Sequence, residues 1–394
     1  MLQGISKVSR YSWFGWFGLL LTLVACKPDS NSITDEKQAY LADYESPGYR
    51  WGFIDTTGEL VIPAMFDEVS RFSEGKAAVN QDGLWGYIDT SGKLIIKPQF
   101  RLAYNFHENR ARVKTFDLPE YYITPGGTTI SSKDWTAVDD FSNGRALVKV
   151  GPLFGFIDTS GNIIVKPAYT RAWSFDQGLA VVELEDKQGI IDVAGKFIVE
   201  PQFDHLINTS TFKQIVGQQG NDAMLLDLNG NEILQVKVAR ILETDGLMLS
   251  VQKENRMWLY SIANKMYLPG PGFDQLIYLG LNRWAAFYDG SFHLLDDDGK
   301  EVSSTGYAQI NKFADGFAAY HRDEFWGYLD KNGTELTKPI FGLAWDYKVG
   351  FARAAFKNGL AFLNSKQEIA FYPPDGAEDL RDFNEGLAPI QMIK

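Results

Sequence analysis

The stretch WGYIDTSGKLIIKPQF, residues 85–100, decides the architecture because the chain repeats it with few changes. Close copies begin at three other places: WGFIDTTGELVIPAMF at 51, FGFIDTSGNIIVKPAY at 154 and WGYLDKNGTELTKPIF at 326. Each copy contains an aromatic residue followed by Gly, an Asp three residues before a second Gly, and a Pro near its end. Such a stretch is either a reactive site present several times or a structural unit. The residues within it favour the structural unit.

The acidic residue of these copies recurs at a nearly constant spacing of about 34 residues, or twice that. Two degenerate units fill the double gaps, YYITPGGTTI at 121–130 and WLYSIANKMYL at 258–268. A second motif has the same period in another phase, as in FSEGKAAV at 72–79 and FNEGLAPI at 383–390. A fixed period of this length indicates a repeat architecture. About ten units fill residues 49–394.

The repeated letters match the chemistry of turns between short strands. Asp89 and Gly92 suit a turn in which the Asp side chain accepts backbone N–H groups and Gly takes the left-handed conformation. Pro98 ends the last strand because it has no N–H for a ladder. The residues assigned to this structural role are Trp51, Gly52, Asp55, Gly58, Trp85, Gly86, Asp89, Gly92, Asp158, Gly161, Trp326, Gly327, Asp330 and Gly333.

Each unit is therefore predicted to be a meander of three or four antiparallel strands, and the fold class is all-β. Gly86 in mid-strand indicates that another chain segment approaches closely. The run 94–96, Leu-Ile-Ile, predicts a strand covered on both faces. Stacked units would bury the faces that a single unit cannot bury. The pattern leaves open whether the units close into a propeller-like ring or form an open curved β-array.

The composition is that of a globular protein, with 45% hydrophobic and 14% aromatic residues. The formal net charge is −12, and a surface of this sign repels nucleic acid at long range. No nucleic-acid partner is expected.

The single cysteine, Cys26, follows a pattern typical of an exported lipoprotein. Lys7 and Arg10 precede an apolar run at 13–25 that is short for a membrane span. The tetrad ending at Cys26, Leu-Val-Ala-Cys, resembles the bacterial lipobox. We expect a signal peptide over 1–25, a lipidated Cys26 and a flexible tether over 26–48, with a short helix around Asp35 to Tyr44 as an alternative for part of it. The expected location is the cell envelope, and Lys27 after the cysteine favours the outer membrane where one exists.

The repeated motif resembles the WG-repeat family of bacterial proteins. The resemblance covers about residues 49–394 and is most specific at Trp51-Gly52, Trp85-Gly86 and Trp326-Gly327. It is weak from 203 to 292, where the Trp-Gly pair is absent. The family implies no single activity, so the resemblance implies a binding or interaction role only by association.

No residue pattern indicates a metal, a cofactor or a catalytic residue. The four histidines have no metal-ligand or hydrolase spacing, and DDDG at 296–299 fits the repeat turn better than a calcium loop. Aromatic residues where the repeat is degenerate are the candidates for a ligand surface: Tyr121, Tyr122 and Trp284.

The expected function is a non-catalytic envelope scaffold that binds an envelope protein or a glycan. The alternative is an envelope glycan hydrolase or lyase that uses acidic residues. It would need a pair of carboxylates in a shared cleft. Loose acidic clusters occur at Asp139-Asp140 and at Glu183, Glu185 and Asp186.

Overall fold

The Asp-x-x-Gly turns join antiparallel strands in the way the sequence predicts. In the computed structural model, Asp89 Oδ1 accepts hydrogen bonds from the N–H groups of Ser91 (2.9 Å) and Lys93 (3.1 Å). The N–H of Gly92 donates to the carbonyl of Asp89 at 2.9 Å, and Gly92 has a φ of 82°. A side chain at this φ would be strained, so glycine is required here.

The structure describes residues 30–132, 134–209, 212–237, 239–357 and 359–393. The predicted signal peptide and Cys26 lie outside these ranges. The described strands form ten antiparallel sheets, eight of four strands and two of three. The sheets are the ten blades of a β-propeller, which confirms the all-β repeat fold.

The blades are numbered in chain order, and the first blade combines strands from both ends of the chain. Blade 1 contains Ala377–Leu380, Leu387–Ile393, Tyr49–Asp55 and Leu60–Phe66; blade 2 contains Glu68–Val69, Lys76–Gln81, Leu84–Asp89 and Leu94–Phe100; blade 3 contains Leu102–His107, Arg110–Lys114, Tyr121–Ile123 and Thr129–Ile130; blade 4 contains Trp135–Val138, Ala146–Val150, Leu153–Ile157 and Ile163–Tyr169; blade 5 contains Arg171–Ala172, Leu179–Leu184, Lys187–Asp192 and Phe197–Phe203.

The second half of the ring follows the same plan. Blade 6 contains His205–Thr209, Gln214–Gln219, Asp222–Asp227 and Glu232–Val236; blade 7 contains Arg240–Thr244, Met248–Lys253, Arg256–Ser261 and Met266–Tyr267; blade 8 contains Gln275–Gly280, Arg283–Tyr288 and Ser291–Leu295; blade 9 contains Gln309–Ile310, Phe317–Arg322 and Phe325–Asp330; blade 10 contains Leu343–Ala344, Ala352–Phe356, Gly359–Leu363 and Ile369–Phe371.

The ring is closed by strand pairing between the two ends of the array. Tyr49–Asp55 pairs along its whole length with Leu387–Ile393, with Trp51 opposite Gln391. The two alternatives left open by the sequence are thereby decided in favour of the ring. Because the pairing continues from Tyr49 to Asp55 without a register shift, the seam is as regular as the pairing inside the other sheets.

Adjacent blades are held together by a repeated pair of aromatic rings. The aromatic residue after Trp-Gly meets the Phe of the second motif in the next blade, as where Phe53 lies 4.8 Å from Phe72. The rings of Tyr87 and Phe106 are 5.0 Å apart in the same arrangement. Both pairs meet edge to face, the favourable geometry for aromatic rings. The buried core therefore lies between blades, so a single unit is not expected to fold alone.

The Gly of Trp-Gly is required by a chain segment that crosses over it. A Cβ built on Gly86 would lie 2.5 Å from the carbonyl oxygen of Ile96 and 2.7 Å from the nitrogen of Pro98. The same contact recurs at Gly52, Gly155 and Gly189. The close approach predicted from the mid-strand glycine is thus confirmed.

The aliphatic strand is not covered on both faces as the sequence predicts. Leu94 and Ile95 are 40% and 38% exposed, and only Ile96 is buried. The reason is that this strand is the edge of its sheet. Pro98 does not end this strand as predicted, because the strand continues to Phe100 past an irregularity in the pairing. Lys97 and Pro98 instead protect the edge against pairing with another chain.

Part of the predicted flexible tether is a helix, α1, Ser30–Ala42. The hydroxyl of Tyr40 donates to the carbonyl of Gly83 at 3.3 Å, and the Tyr40 ring lies 5.4 Å from that of Phe116. Glu36 forms an ion pair with Arg101. This part of the predicted tether is therefore the helical alternative rather than a coil, and its residues pack on blades 2 and 3. Nothing helical in the described residues has the length and apolar character needed to cross a bilayer.

Candidate functional site

The three aromatic residues predicted to form a ligand surface lie in the core instead. Tyr121, Tyr122 and Trp284 are 6%, 0% and 0% exposed. Tyr122 donates through its hydroxyl to the carbonyl of Asp139, and Trp284 Nε1 donates to Asp245 Oδ2 at 3.0 Å. The prediction is wrong because the degenerate units keep the core positions of the repeat even where the Trp-Gly letters are lost.

The acidic clusters of the sequence serve as contacts between and within blades. Asp140 accepts from Arg112 Nε at 2.7 Å, which links blades 3 and 4. The neighbouring Asp139 accepts from the Ser174 hydroxyl at 2.6 Å. Glu183, 9% exposed, accepts from the Thr170 hydroxyl at 3.3 Å. Asp139, Asp140 and Glu183 therefore have partners within the scaffold, whereas Glu185 and Asp186 are exposed in the turn between two strands of blade 5.

One carboxyl group has a raised pKa. Burial raises the pKa of Asp297, and the negative charge of Asp245 adds to the rise, while a hydrogen bond from Asn282 opposes it. Asp245 itself accepts from the Met248 N–H at 2.6 Å in addition to Trp284. Both carboxyl groups therefore have structural partners. Within the described ranges, no group of three or more His, Cys, Asp or Glu side chains is placed to hold a metal ion.

The turns of the second motif contact their counterparts in the next blade. Both carboxylate oxygens of Glu74 accept backbone N–H groups, from Glu108 at 2.6 Å and Asn109 at 2.8 Å. Glu108 in turn accepts from the N–H of Gly144 at 2.7 Å. Equivalent points of neighbouring blades come closest together near the axis of a closed ring. We therefore place these turns, here called the central turns, around the axis.

An open groove runs along blades 5 to 7, and it begins beside the central turn of blade 5, at Asp176 and Leu179. Its first part is a mainly apolar cleft of about 250 Å³. This cleft is lined by Trp173, Ser174, Asp176, Leu179, Val181, His205, Leu206 and Ile207. Trp173 is 44% exposed, which is unusual for so large an apolar ring.

The second part of the groove is polar and has a volume of about 450 Å³. It shares the lining residue His205 with the first cleft, so the two clefts adjoin at this side chain. Its lining includes three side-chain amides and one pair of opposite charges: His205, Gln218, Gly220, Asn221, Ala239, Arg240, Gln252 and Glu254. A concave site with an aromatic wall and several hydrogen-bonding groups has the character of a ligand site. We call the whole feature the Trp173 groove.

Trp173 is not among the residues predicted from the repeat pattern, although the repeat contains a signal for it. Trp173 stands two residues before Phe175, and the units around it have a different residue at that place. Only an alignment of the repeats with one another, together with the residue on the adjoining strand, distinguishes it from a core Trp.

Several solved structures resemble this fold at low sequence identity. The computationally designed Ika8 protein is 14% identical, with a TM-score of 0.33, and the match covers 68% of this chain and 93% of that one. For a eukaryotic initiation factor, the identity is 10%, the TM-score 0.44 and the coverage 66% and 84%. For BamB from Moraxella catarrhalis, the values are 9%, 0.31, 87% and 96%.

No curated protein matches the chain. The model of the WG containing repeat matches four segments, residues 51–85, 85–115, 154–187 and 326–360. These segments begin at the Trp-Gly and Phe-Gly pairs quoted from the sequence. At these four places the chain carries the WG containing repeat.

Proposed function

We propose that this chain is a lipid-anchored, non-catalytic scaffold of the bacterial cell envelope that binds an envelope protein or a glycan. The anchor is inferred from the tetrad that ends at Cys26. Two acyl chains on one residue hold a protein stably on a membrane. The outer membrane is the expected site where the cell has one.

The observation that carries the binding role is the Trp173 groove. The recurrent acidic and aromatic residues of the repeat are used in turns, blade contacts and the core, whereas the groove leaves Trp173 open to solvent. A closed ring of ten blades also presents rigid surfaces, and sites on rigid elements lose little entropy on binding.

The proposed membrane location is tested by fractionation of cells that express the full chain. We expect the wild-type protein in the membrane fraction, labelled by radioactive palmitate, and Cys26→Ser without label. A Cys26→Ser protein that still carries palmitate would contradict the anchor.

The binding role is tested by cross-linking in intact cells, followed by mass spectrometry of the captured material. A single envelope protein or wall glycan recovered with the wild type, and lost on mutation of the groove, supports the scaffold. Recovery unchanged by groove mutations would contradict this site. Cleaved wall fragments released by the purified chain would instead establish the hydrolase alternative.

A further inference from the structure

The place that Trp173 occupies is a repeated position of the fold. The N–H of Trp173 donates to the carbonyl of Val181 at 3.0 Å, and the N–H of Trp345 donates to that of Arg353 at 3.1 Å. Tyr104 of blade 3 holds the same position, two residues before the Phe of the second motif. Three blades therefore present an aromatic ring at one equivalent place.

In two of these three blades an arginine covers the ring. The guanidinium of Arg112 lies 4.2 Å from the ring centroid of Tyr104. The guanidinium of Arg353 lies 4.6 Å from that of Trp345. Both arginines stand at the same repeat position, on the adjoining strand, and the contact is a cation–π stack. Both covered rings are only partly exposed.

Each covering guanidinium is held in place by a carboxylate of the next blade. Asp140 and Asp382 each lie 2.7 Å from an arginine Nε. In blade 5 the covering residue is replaced by Val181, whose short side chain cannot reach across the ring. The face that is covered in the other two blades is therefore open at Trp173.

The chemistry of the groove selects the class of ligand. An open indole face suits the apolar C–H face of a pyranose ring, and β-linked sugars of the gluco configuration present such a face because their ring substituents are all equatorial. The adjoining polar cleft supplies amide donors and acceptors for hydroxyl groups. Its one Arg and one Glu offset each other, and the chain's net charge of −12 disfavours an anionic ligand.

We infer that Trp173 is the stacking platform of a binding site for neutral β-linked glycans. One pyranose ring packs on the indole, and the following units lie past His205 against Gln218, Asn221 and Gln252. This inference rests on the proposed function and specifies the ligand class of its groove.

The test is calorimetric titration of the full-length protein in detergent with the tetramer of β-1,4-linked N-acetylglucosamine. We expect binding by the wild type and a Kd about tenfold weaker or more for Trp173→Ala. Trp173→Phe retains a flat ring and should lose less. Trp345→Ala is the matched control, because that ring is covered by Arg353, and its Kd should equal that of the wild type.

Val181→Arg provides a second test that leaves Trp173 in place. By analogy with the other two blades, the new guanidinium stacks on the indole and competes with the sugar, so the affinity should fall as it does for Trp173→Ala. Circular dichroism and thermal melting of each variant show whether it is folded.

Two results would overturn the inference. One is the absence of binding by the folded wild type, and the other is an unchanged Kd in folded Trp173→Ala. If either occurs while cross-linking in cells recovers a protein partner that depends on the groove, the glycan inference fails and the scaffold stands. If cross-linking also recovers nothing, both fail.

Discussion

Glu385, in the last turn of the chain, accepts hydrogen bonds from the backbone N–H groups of Glu74 at 2.7 Å and Gly75 at 2.8 Å, one on each carboxylate oxygen. The two ends of the array are thus joined twice, by strand pairing in blade 1 and by this contact between central turns. Nearby, Arg381 Nη2 forms an ion pair with Glu68 at 2.7 Å. The side chains at the seam repeat the contacts that join other blades.

Replacing Glu385 should loosen the seam without unfolding the blades. In Glu385→Gln one oxygen becomes an NH₂ group that faces a backbone N–H, so one acceptor is lost. We expect the free energy of unfolding to fall by about 1 kcal/mol, since the contact is charge-assisted but exposed to solvent. Urea denaturation measures it, with Glu378→Gln, on the exposed part of blade 1, as the control. Equal midpoints for the two variants would contradict the role.

The glycine of Trp-Gly should tolerate no side chain. In Gly86→Ala the new Cβ would lie 2.5 Å from a backbone oxygen, and backbone cannot move aside as a flexible side chain can. We expect a loss of about 3 kcal/mol, at the upper end of the range for overpacking. Gly126→Ala is the matched control, because its nearest neighbour would be 4.0 Å away. Urea denaturation measures the midpoints of the two variants. A midpoint for Gly86→Ala as high as that for Gly126→Ala would contradict the prediction.

The sequence was sufficient for the elements whose chemistry is local. Asp89 and Gly92 predict their turn correctly because the hydrogen bonds of the Asp side chain and the conformation of the Gly involve only residues within the turn. The mid-strand Gly86 likewise predicts a close approach. Periodicity supplied the number of units, because each unit packs on its neighbours in the same way.

What depends on the arrangement of blades was beyond the sequence. The run at 94–96 is apolar throughout, and only its place at the sheet edge shows that Leu94 is exposed. Tyr121 and Trp284 looked exceptional as letters, but the backbone keeps the core position wherever the repeat is degenerate. Trp173, in contrast, looked ordinary in the sequence but is exposed. Its exposure follows from Val181 on the neighbouring strand, and a linear pattern does not show which residues are neighbours across strands.

The repeat turns should make stability depend on pH in the acid range. The pKa of Asp89 is lowered by hydrogen bonds, first from the Ser91 hydroxyl and then from backbone N–H groups; the pKa values of Asp55, Asp158 and Asp227 are lowered by similar contacts. A group whose pKa is depressed by folding contributes stability above its unfolded pKa of about 3.9, and that stability is lost as the pH falls through the folded pKa.

The thermal midpoint should therefore fall as the pH is lowered below about 4. In a variant with all four aspartates changed to Asn, which also accepts at such turns, the drop between neutral and acid pH should be smaller. Melting curves by circular dichroism over this range test it. An identical drop in both proteins would show that other groups dominate the acid response.

The contrast between two tryptophans is the final prediction. Trp284 is fully buried and donates to Asp245 at 3.0 Å, whereas Trp173 is 44% exposed. Trp284→Phe removes the donor and leaves part of its volume empty, so we expect a loss of about 3 kcal/mol. Trp173→Phe should cost less than about 1 kcal/mol, because surface substitutions away from buried contacts have small effects.

Chemical denaturation measures the free energy of unfolding of the two variants. In titrations with the oligosaccharide, we expect the reverse order, with a larger loss of affinity for Trp173→Phe than for Trp284→Phe. Trp284→Phe should bind the ligand as the wild type does at temperatures where it is folded. If Trp284→Phe were as stable as the wild type yet failed to bind, the ligand surface would lie at the degenerate blade 8, where the sequence first suggested it, and the Trp173 groove would lose its role.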